Sequence, residues 1–432
     1  MERFKLNPFL IAKTDTFKQS ALTFTATVIN GILGMGFYIL LARNLGPFTF
    51  GLFSLSITVL ALVADIGNLG INTGIVNFVS KYIKTDHQKS MKFLKLGLVS
   101  KIIIAIVLLI IGFLISPLIS DGIFNKPELT VPLRLVFIGV GTTWLFSFTT
   151  SYYQASQKFV SWGLIQIFSN SLRLLLIVYL SVTSKLSLNL AIVSYIVAPL
   201  LGFLLSFINI SAKFIKEKIN SQIRKEFFNF NKWVAISSGI AAFSSRSDTF
   251  VLGRLAQPTG IGIYSAANQL VQVVPQLIGA IGTVVAPKYS SFVNDKEMIT
   301  YFKKLQLMVF GIAIFILACT PIARIIIYSF FGLDYQNSFP IFIILIVAML
   351  IFFISIPIHN AIIYYYSYPK LFSYLSVINL LVVFISALYL TANFGYQKTA
   401  YAILFGNAVN FVIPLIWFLR RTKLSFKKLL VG

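Results

Sequence analysis

Asp65, Arg173, Arg246 and Asp248 are ionisable residues that stand well inside long apolar runs of the chain. In hydrocarbon a charged side chain costs a few kcal/mol unless it meets water, a counter-charge or a cargo, so each is a candidate for handling a charged solute. Polar residues recur around them at helical spacing. Ser54, Thr58, Ala61, Asp65, Asn68 and Asn72 advance by fours and threes, which places them on one helical face. Thr23, Thr27, Asn30 and Gly34 form such a face one run earlier. Ser237, Ala241, Ser244 and Asp248 form another later in the chain, followed by Gln269, Gln272 and Gln276 with Asn268 beside them. Gln166, Ser169, Asn170 and Arg173 make a fifth stripe. This chemistry suits hydrogen bonding to a polar solute and holding an ion, by residues with no means of cleaving a bond. There is no phosphate-cradling glycine loop and no HExxH pair, and the single cysteine, Cys319, permits neither a disulfide framework nor a thiolate metal centre. No catalytic residue, cofactor or metal is expected, and an enzyme or nucleotide-driven pump finds no support.

Helices must carry these stripes through lipid. Hydrophobic residues make up 57% of the chain and charged residues 11%, a balance that suits a chain solvated by a bilayer. Apolar runs near 17–42, 49–78, 93–117, 131–153, 159–182, 187–210, 231–255, 260–285, 303–327, 337–360, 370–391 and 398–419 predict twelve spans. The first run is too long for a cleavable signal segment. The net charge of +24 is distributed as a topology signal rather than a nucleic-acid surface. With the N-terminus inside, 26 of the Lys and Arg side chains fall in cytoplasmic segments and 7 outside, while Lys101, Arg173 and Arg246 lie within spans. Such a bias predicts both termini in the cytoplasm, with anionic lipid attracting the basic segments.

The chain also repeats itself. LARNLGPFTFGLFS from Leu41 returns as LGRLAQPTGIGIYS from Leu252, an offset of about half the chain. Six spans in each half make the repeat parallel, a plan found in transporters. The expected organisation is an N-terminal six-helix lobe over 1–210, a cytoplasmic linker over 211–232 and a C-terminal six-helix lobe over 233–432. Ile215, Ile219 and Ile223, four apart among basic residues, predict an interfacial helix in the linker. Four of the five polar stripes fall on spans 1, 2, 7 and 8, which are equivalent positions in the two halves. A hydrophilic cavity lined by Thr27, Asn30, Asp65, Asn68, Ser244, Asp248, Asn268 and Gln272 would account for them; hydrogen bonds within a packed bundle are the alternative. Arg246 and Arg173 are the cations suited to an anionic group. Asp65 and Asp248 are candidates either for coupling an ion or for pairing with an arginine. Lys101 is expected near the periphery, and His359 at a membrane interface.

Several strings carry a resemblance that covers nearly the whole chain: ARNLGPFTFGLFS from Ala42, ADIGNLGIN from Ala64, YYQASQK from Tyr152, RSDTFVLGRL from Arg246 and GIGIYSAA from Gly260. In these the chain resembles the polysaccharide (Wzx-type) flippases of the multidrug/oligosaccharidyl-lipid/polysaccharide superfamily. The resemblance implies two six-helix lobes with helices 1, 2, 7 and 8 around a cavity. It implies export of an isoprenoid-pyrophosphate-linked oligosaccharide from the inner to the outer leaflet of a cytoplasmic membrane, by alternating access. The partners would be that lipid-linked glycan, membrane lipid and other polysaccharide-assembly proteins, with no nucleic acid. A cation-coupled multidrug antiporter of the same superfamily would want a net acidic cavity, and this one reads as net basic. A membrane glycan polymerase or glycosyltransferase would want a large outer loop or a catalytic acid pair; the longest outer loop, near 117–130, offers only Asp121 and Glu128. A lipid II flippase would typically bring two further helices.

Overall fold

In a computed structural model of the chain, residues 15–422 are described, and both chain ends used in the charge count lie outside them. The described residues form helices and turns, without a strand. In chain order the α-helices are α1 (Asp15–Gly67), α2 (Ile71–Tyr82), α3 (His87–Pro117), α4 (Thr130–Ala155), α5 (Phe159–Val182), α6 (Leu188–Ile208), α7 (Ser221–Ser244) and α8 (Ser247–Leu255). They continue as α9 (Pro258–Val271), α10 (Val273–Ser290), α11 (Asp295–Ala318), α12 (Thr320–Ile326), α13 (Ser338–Asn360), α14 (Lys370–Phe394) and α15 (Ala400–Thr422).

Nine helical stretches among the described residues are long and apolar enough to cross a membrane. One of them, Leu22–Gly67, has 46 residues, about twice the length a bilayer core of ~30 Å requires. It is two spans joined at Gly46, whose φ of 72° is open to glycine and poor for other residues, with Pro47 next in line. The stretches α7–α8 and α9–α10 bring the number to the twelve read from the sequence. Each is interrupted by a helix end, which leaves α8 and α9 at 9 and 14 residues. The protein is thus an all-α, multi-pass membrane protein.

The chain divides into two compact units: Met1–Phe37, Val59–Gly122 and Lys126–Gly239 in the first; Tyr38–Thr58, Ile123–Asn125 and Ile240–Gly432 in the second. A segment of α1 is counted with the second unit.

In the first unit an aromatic cluster joins α2, α3 and α7. Phe78 and Phe93 stack at 4.4 Å, and Phe227 lies 5.9 Å from Phe78. Gly70 and Gly74 admit α7 closely: a Cβ on Gly70 would stand 2.8 Å from Val234 Cβ, and one on Gly74 would overlap the Asn231 amide. The small-xxx-small spacing of this pair, common by chance, marks a real helix contact here. The predicted interfacial helix is not formed. Ala212–Lys216 is a short 3-10 turn, Glu217 is extended, and helix resumes at Ser221. Ile215 is 48% exposed while Ile223 is 4% exposed, so the isoleucines do not share a face. Phe214, fully buried in the aromatic cluster, fixes this segment instead. Lys95 Nζ donates to the Glu217 carbonyl at 2.8 Å, and Lys89 pairs with Glu226 at 3.4 Å.

In the second unit α13 is central. Ser338 Oγ at its start donates to the Ile263 carbonyl of α9, and Asn407 of α15 donates to the Ala348 carbonyl. Tyr335 Oη reaches the Ala42 carbonyl at 2.9 Å. His359 is buried, bonded to the Asn410 carbonyl at 2.8 Å and set edge-on to Phe352 and Phe372. Apolar neighbours sequester the ring in the last turn of α13. The two copies of the repeated string meet within this unit. A Cβ on Gly51 would overlap the Pro258 carbonyl, and a Cβ on Gly262, its counterpart, would overlap the Pro47 carbonyl. Each glycine lets one helix approach the backbone of its twin.

Candidate substrate-binding site

In the first unit the polar face of α5 looks onto a cavity of about 300 Å³. Gln166, Ser169, Asn170 and Arg173, spaced by three and four residues, bring their side chains to it. Asp65 enters from α1, Thr143 from α4, and Tyr195 from α6. Arg173 lies over the Tyr195 ring at 3.8 Å, with Phe37 at 5.8 Å. A guanidinium over an aromatic face can still donate its N–H groups to an acceptor, and its Nε is buried without a hydrogen-bond partner. Asn170 donates to Asn30 at 2.7 Å, and Asn30 donates to the Ala26 carbonyl at 2.8 Å. Thr27 returns its hydroxyl to the Thr23 carbonyl. The cavity thus unites Arg173 with Asp65, while Asn30 supports it from behind and Thr27 satisfies its own helix.

Asn68 serves a different purpose. Leu69 and Gly70 both have positive φ, so the helix that carries Asp65 ends at Gly67 and Asn72 belongs to α2. The stripe read as one continuous face is broken there. Asn68 Oδ1 accepts from Lys101 Nζ at 3.2 Å, Ser147 Oγ accepts from the same amine at 2.8 Å, and Ser147 donates to Asn72. Lys101 is 1% exposed, which corrects its expected peripheral place. A buried amine needs acceptors, and these residues tie α2, α3 and α4 together around it.

In the second unit the stripe is also interrupted. Arg246 separates α7 from α8 with φ −129° and ψ 5°, and its guanidinium donates to the Ala242 carbonyl at 3.1 Å and to Ser245 Oγ at 3.3 Å. Asp248 opens α8, is 5% exposed, and accepts a 2.6 Å hydrogen bond from Tyr264. Thr249 Oγ1 is its other side-chain donor at 3.3 Å, and no ion pair with an arginine is formed among the described residues. Ser244 is half-buried and accepts a long 3.5 Å contact from Asn379. Asn268 is half-buried on α9, and Gln272 is exposed at the junction of α9 and α10. Among the described residues no cluster of His, Cys, Asp and Glu could hold a metal ion. Sequence reasoning missed Tyr195, Tyr264 and Phe37, because an aromatic ring in an apolar span carries no signal until its neighbour is known.

The sequence profile described as "Polysaccharide biosynthesis protein" matches residues 17–293, well over half of the chain. The chain belongs to this polysaccharide biosynthesis protein family. No curated protein matches it by sequence. Its fold is similar to that of a lipid II flippase, MurJ, in an inward closed conformation (TM-score 0.74, 18% identity, 95% of this chain and 89% of that one). It is likewise similar to an inward-facing multidrug resistance MATE family transporter of the MOP superfamily (TM-score 0.73, 13% identity, 94% and 98%). A third similar structure is a MOP superfamily transporter from Pyrococcus furiosus, described by the reverse polarity of its binding pocket (TM-score 0.65, 12% identity, 94% of each chain). The chain thus combines membership of this family with a fold shared by these transporters and flippases.

Proposed function

We propose that the protein is a flippase that moves an isoprenoid-pyrophosphate-linked oligosaccharide from the inner to the outer leaflet of a cytoplasmic membrane. The observation that carries this reading is the polar cavity inside a membrane-spanning unit, in a chain of a polysaccharide biosynthesis family. A glycan cannot enter hydrocarbon because its hydroxyls would lose their water partners. Amides, hydroxyls and a guanidinium at membrane depth can replace that water, while the lipid tail stays in the bilayer. Outward movement of each negative charge across an inside-negative membrane gains about 2.3 kcal/mol per 100 mV, so the potential favours export of a pyrophosphate without a nucleotide. Other polysaccharide-assembly proteins are natural partners for such a step.

Deleting the gene is expected to trap a lipid-linked glycan on the inner leaflet and to remove the surface polysaccharide built from it. Complementation with Arg246→Ala should fail at normal protein levels, and Arg246→Lys should restore part of the export, if this residue meets the pyrophosphate. Deletion without any accumulated lipid-linked glycan removes the flippase reading; full export by Arg246→Ala removes the residue from it. A cation-coupled antiporter is the second reading, favoured by the similarity to MATE transporters and by the buried Asp248. Efflux of cationic dyes, lost on deletion with the glycan unchanged, would favour it.

Both termini are proposed to lie in the cytoplasm. A single cysteine replacing Lys398, in a background lacking Cys319, should react with an impermeant maleimide added outside, and one replacing Lys218 should not, both positions being exposed. The opposite pattern inverts the topology.

A further inference from the structure

We propose that α2 and the first half of α7 form a latch that opens and closes as the protein works, and that Asn231 is the residue that keeps the latch reversible. This goes beyond the cargo reading, because it concerns how a helix of the first unit moves and not what the unit carries. All the parts of the latch lie in that unit; α7 itself is divided between the units after Gly239, and its earlier half is the half that is latched.

The closed contact is tight. A Cβ on Gly74 would stand 2.4 Å from Asn231 Oδ1 and 2.9 Å from the Phe227 ring. Phe78 of α2 meets Phe227 at 5.9 Å and Phe230 edge-on at 5.4 Å. At the centre of this apolar contact stands an amide. Asn231 is 2% exposed, and both its oxygen and its nitrogen are buried without a hydrogen-bond partner among the described residues. An amide shut away from water with no partner destabilises the contact that encloses it. Parting α2 from α7 would return the amide to partners, so the closed state carries its own means of release. Leucine, an apolar side chain of nearly the same shape, would make the contact without that penalty.

Both ends of α2 suit such a motion. At its start Leu69 (φ 47°) and Gly70 (φ 73°) are consecutive residues in the left-handed region, where leucine is strained. The break separates α2 from α1, so α2 can turn as a rod. At its end Tyr82 donates to Glu226 Oε1 at 3.3 Å, while Lys89 donates to Tyr82 Oη at 2.9 Å and pairs with Glu226 at 3.4 Å. These three side chains are half-buried. Water can replace such bonds at modest cost, which makes them a clasp that parts rather than a permanent tie.

The test is hydrogen–deuterium exchange, read by mass spectrometry on α2 peptides of the full-length protein in lipid nanodiscs. Asn231→Leu should slow α2 exchange by about tenfold, the change expected from removing one unsatisfied buried group. It should also raise the melting temperature and lower export several-fold at normal protein level. Glu226→Gln keeps an acceptor for Tyr82 and loses the ion pair, so α2 exchange should rise several-fold while α13 exchange stays as it was. If Asn231→Leu does not fold, the Glu226→Gln result decides. Unchanged α2 exchange in a folded variant overturns the proposal. So does faster α2 exchange in Asn231→Leu, which would show that the amide supports the contact. Slower exchange with undiminished export would show that the opening has no part in transport. Exchange is read without any cargo, so this result and the deletion phenotype stand or fall separately.

Discussion

Replacing Gly51 with valine is expected to abolish export and to lower the thermal stability of the purified protein, and Gly262→Val should do the same. The two glycines occupy equivalent places in the repeated strings, and each faces the backbone of the other copy: Gly51 the Pro258 carbonyl, Gly262 the Pro47 carbonyl. A side chain there meets main chain, which cannot rotate aside as a flexible side chain can. Overpacking of this kind costs about 1–3 kcal/mol and sometimes more, and the only relief is to part the helices. The residues that would have to move include those supporting Tyr335, whose hydroxyl is bonded to the Ala42 carbonyl. Gly311→Ala is the control, since a Cβ at Gly311 in α11 meets nothing within 4 Å. In a helix interior that change should be neutral or stabilising by about 0.5–1 kcal/mol. Melting in detergent and surface polysaccharide are the two readouts. A Gly51→Val protein with the melting point and export of the unaltered chain would show that the backbones are not held this close.

Asp248→Asn should separate an ion-coupling role from a structural one. The carboxylate accepts from Tyr264 at 2.6 Å and from Thr249 at 3.3 Å, and among the described residues no arginine pairs with it. The charge-swapped double mutant that an arginine partner would call for has no basis here. Asparagine keeps an acceptor for the Tyr264 hydroxyl, so folded yield should stay normal. If the charge binds a coupling cation, transport driven by an imposed proton or sodium gradient should fall at least tenfold. Asp248→Ala leaves the Tyr264 hydroxyl buried without a partner, at a cost of about 1–3 kcal/mol, and should lower the yield where Asn does not. Tyr264→Phe, the reciprocal change, should keep transport if the hydroxyl only supports the carboxylate. Normal gradient-dependent transport by Asp248→Asn would reduce the acid to a hydrogen-bond acceptor. A collapsed yield for the same variant would make its charge structural.

Helices, spans and repeat were legible in the sequence because they are written in local quantities. Hydropathy over some twenty residues marks a span, and steps of three and four mark a helical face. Gly46-Pro47 marks a break that any chain would obey. The α7–α8 and α9–α10 stretches were legible in the same way, as the apolar runs near 231–255 and 260–285. What those polar residues do was not legible. Asn68 and Asp65 stand three apart in one stripe, yet Asn68 accepts from buried Lys101 and Asp65 lines a cavity. Periodicity fixes direction around one helix axis; the function of a side chain depends on what a second helix sets opposite it. The same limit hid Tyr195 beneath Arg173 and Tyr264 beside Asp248. It also hid the role of Phe214, whose burial holds the linker in a turn where its isoleucine spacing suggested a helix. The sequence by itself determined a twice-used, helical, membrane-spanning chain with charges that need an explanation. Only the tertiary structure decided which of them bond within a packed bundle and which line a cavity, because a hydrogen bond requires its partner within about 3 Å, and that distance is set between helices far apart in the chain.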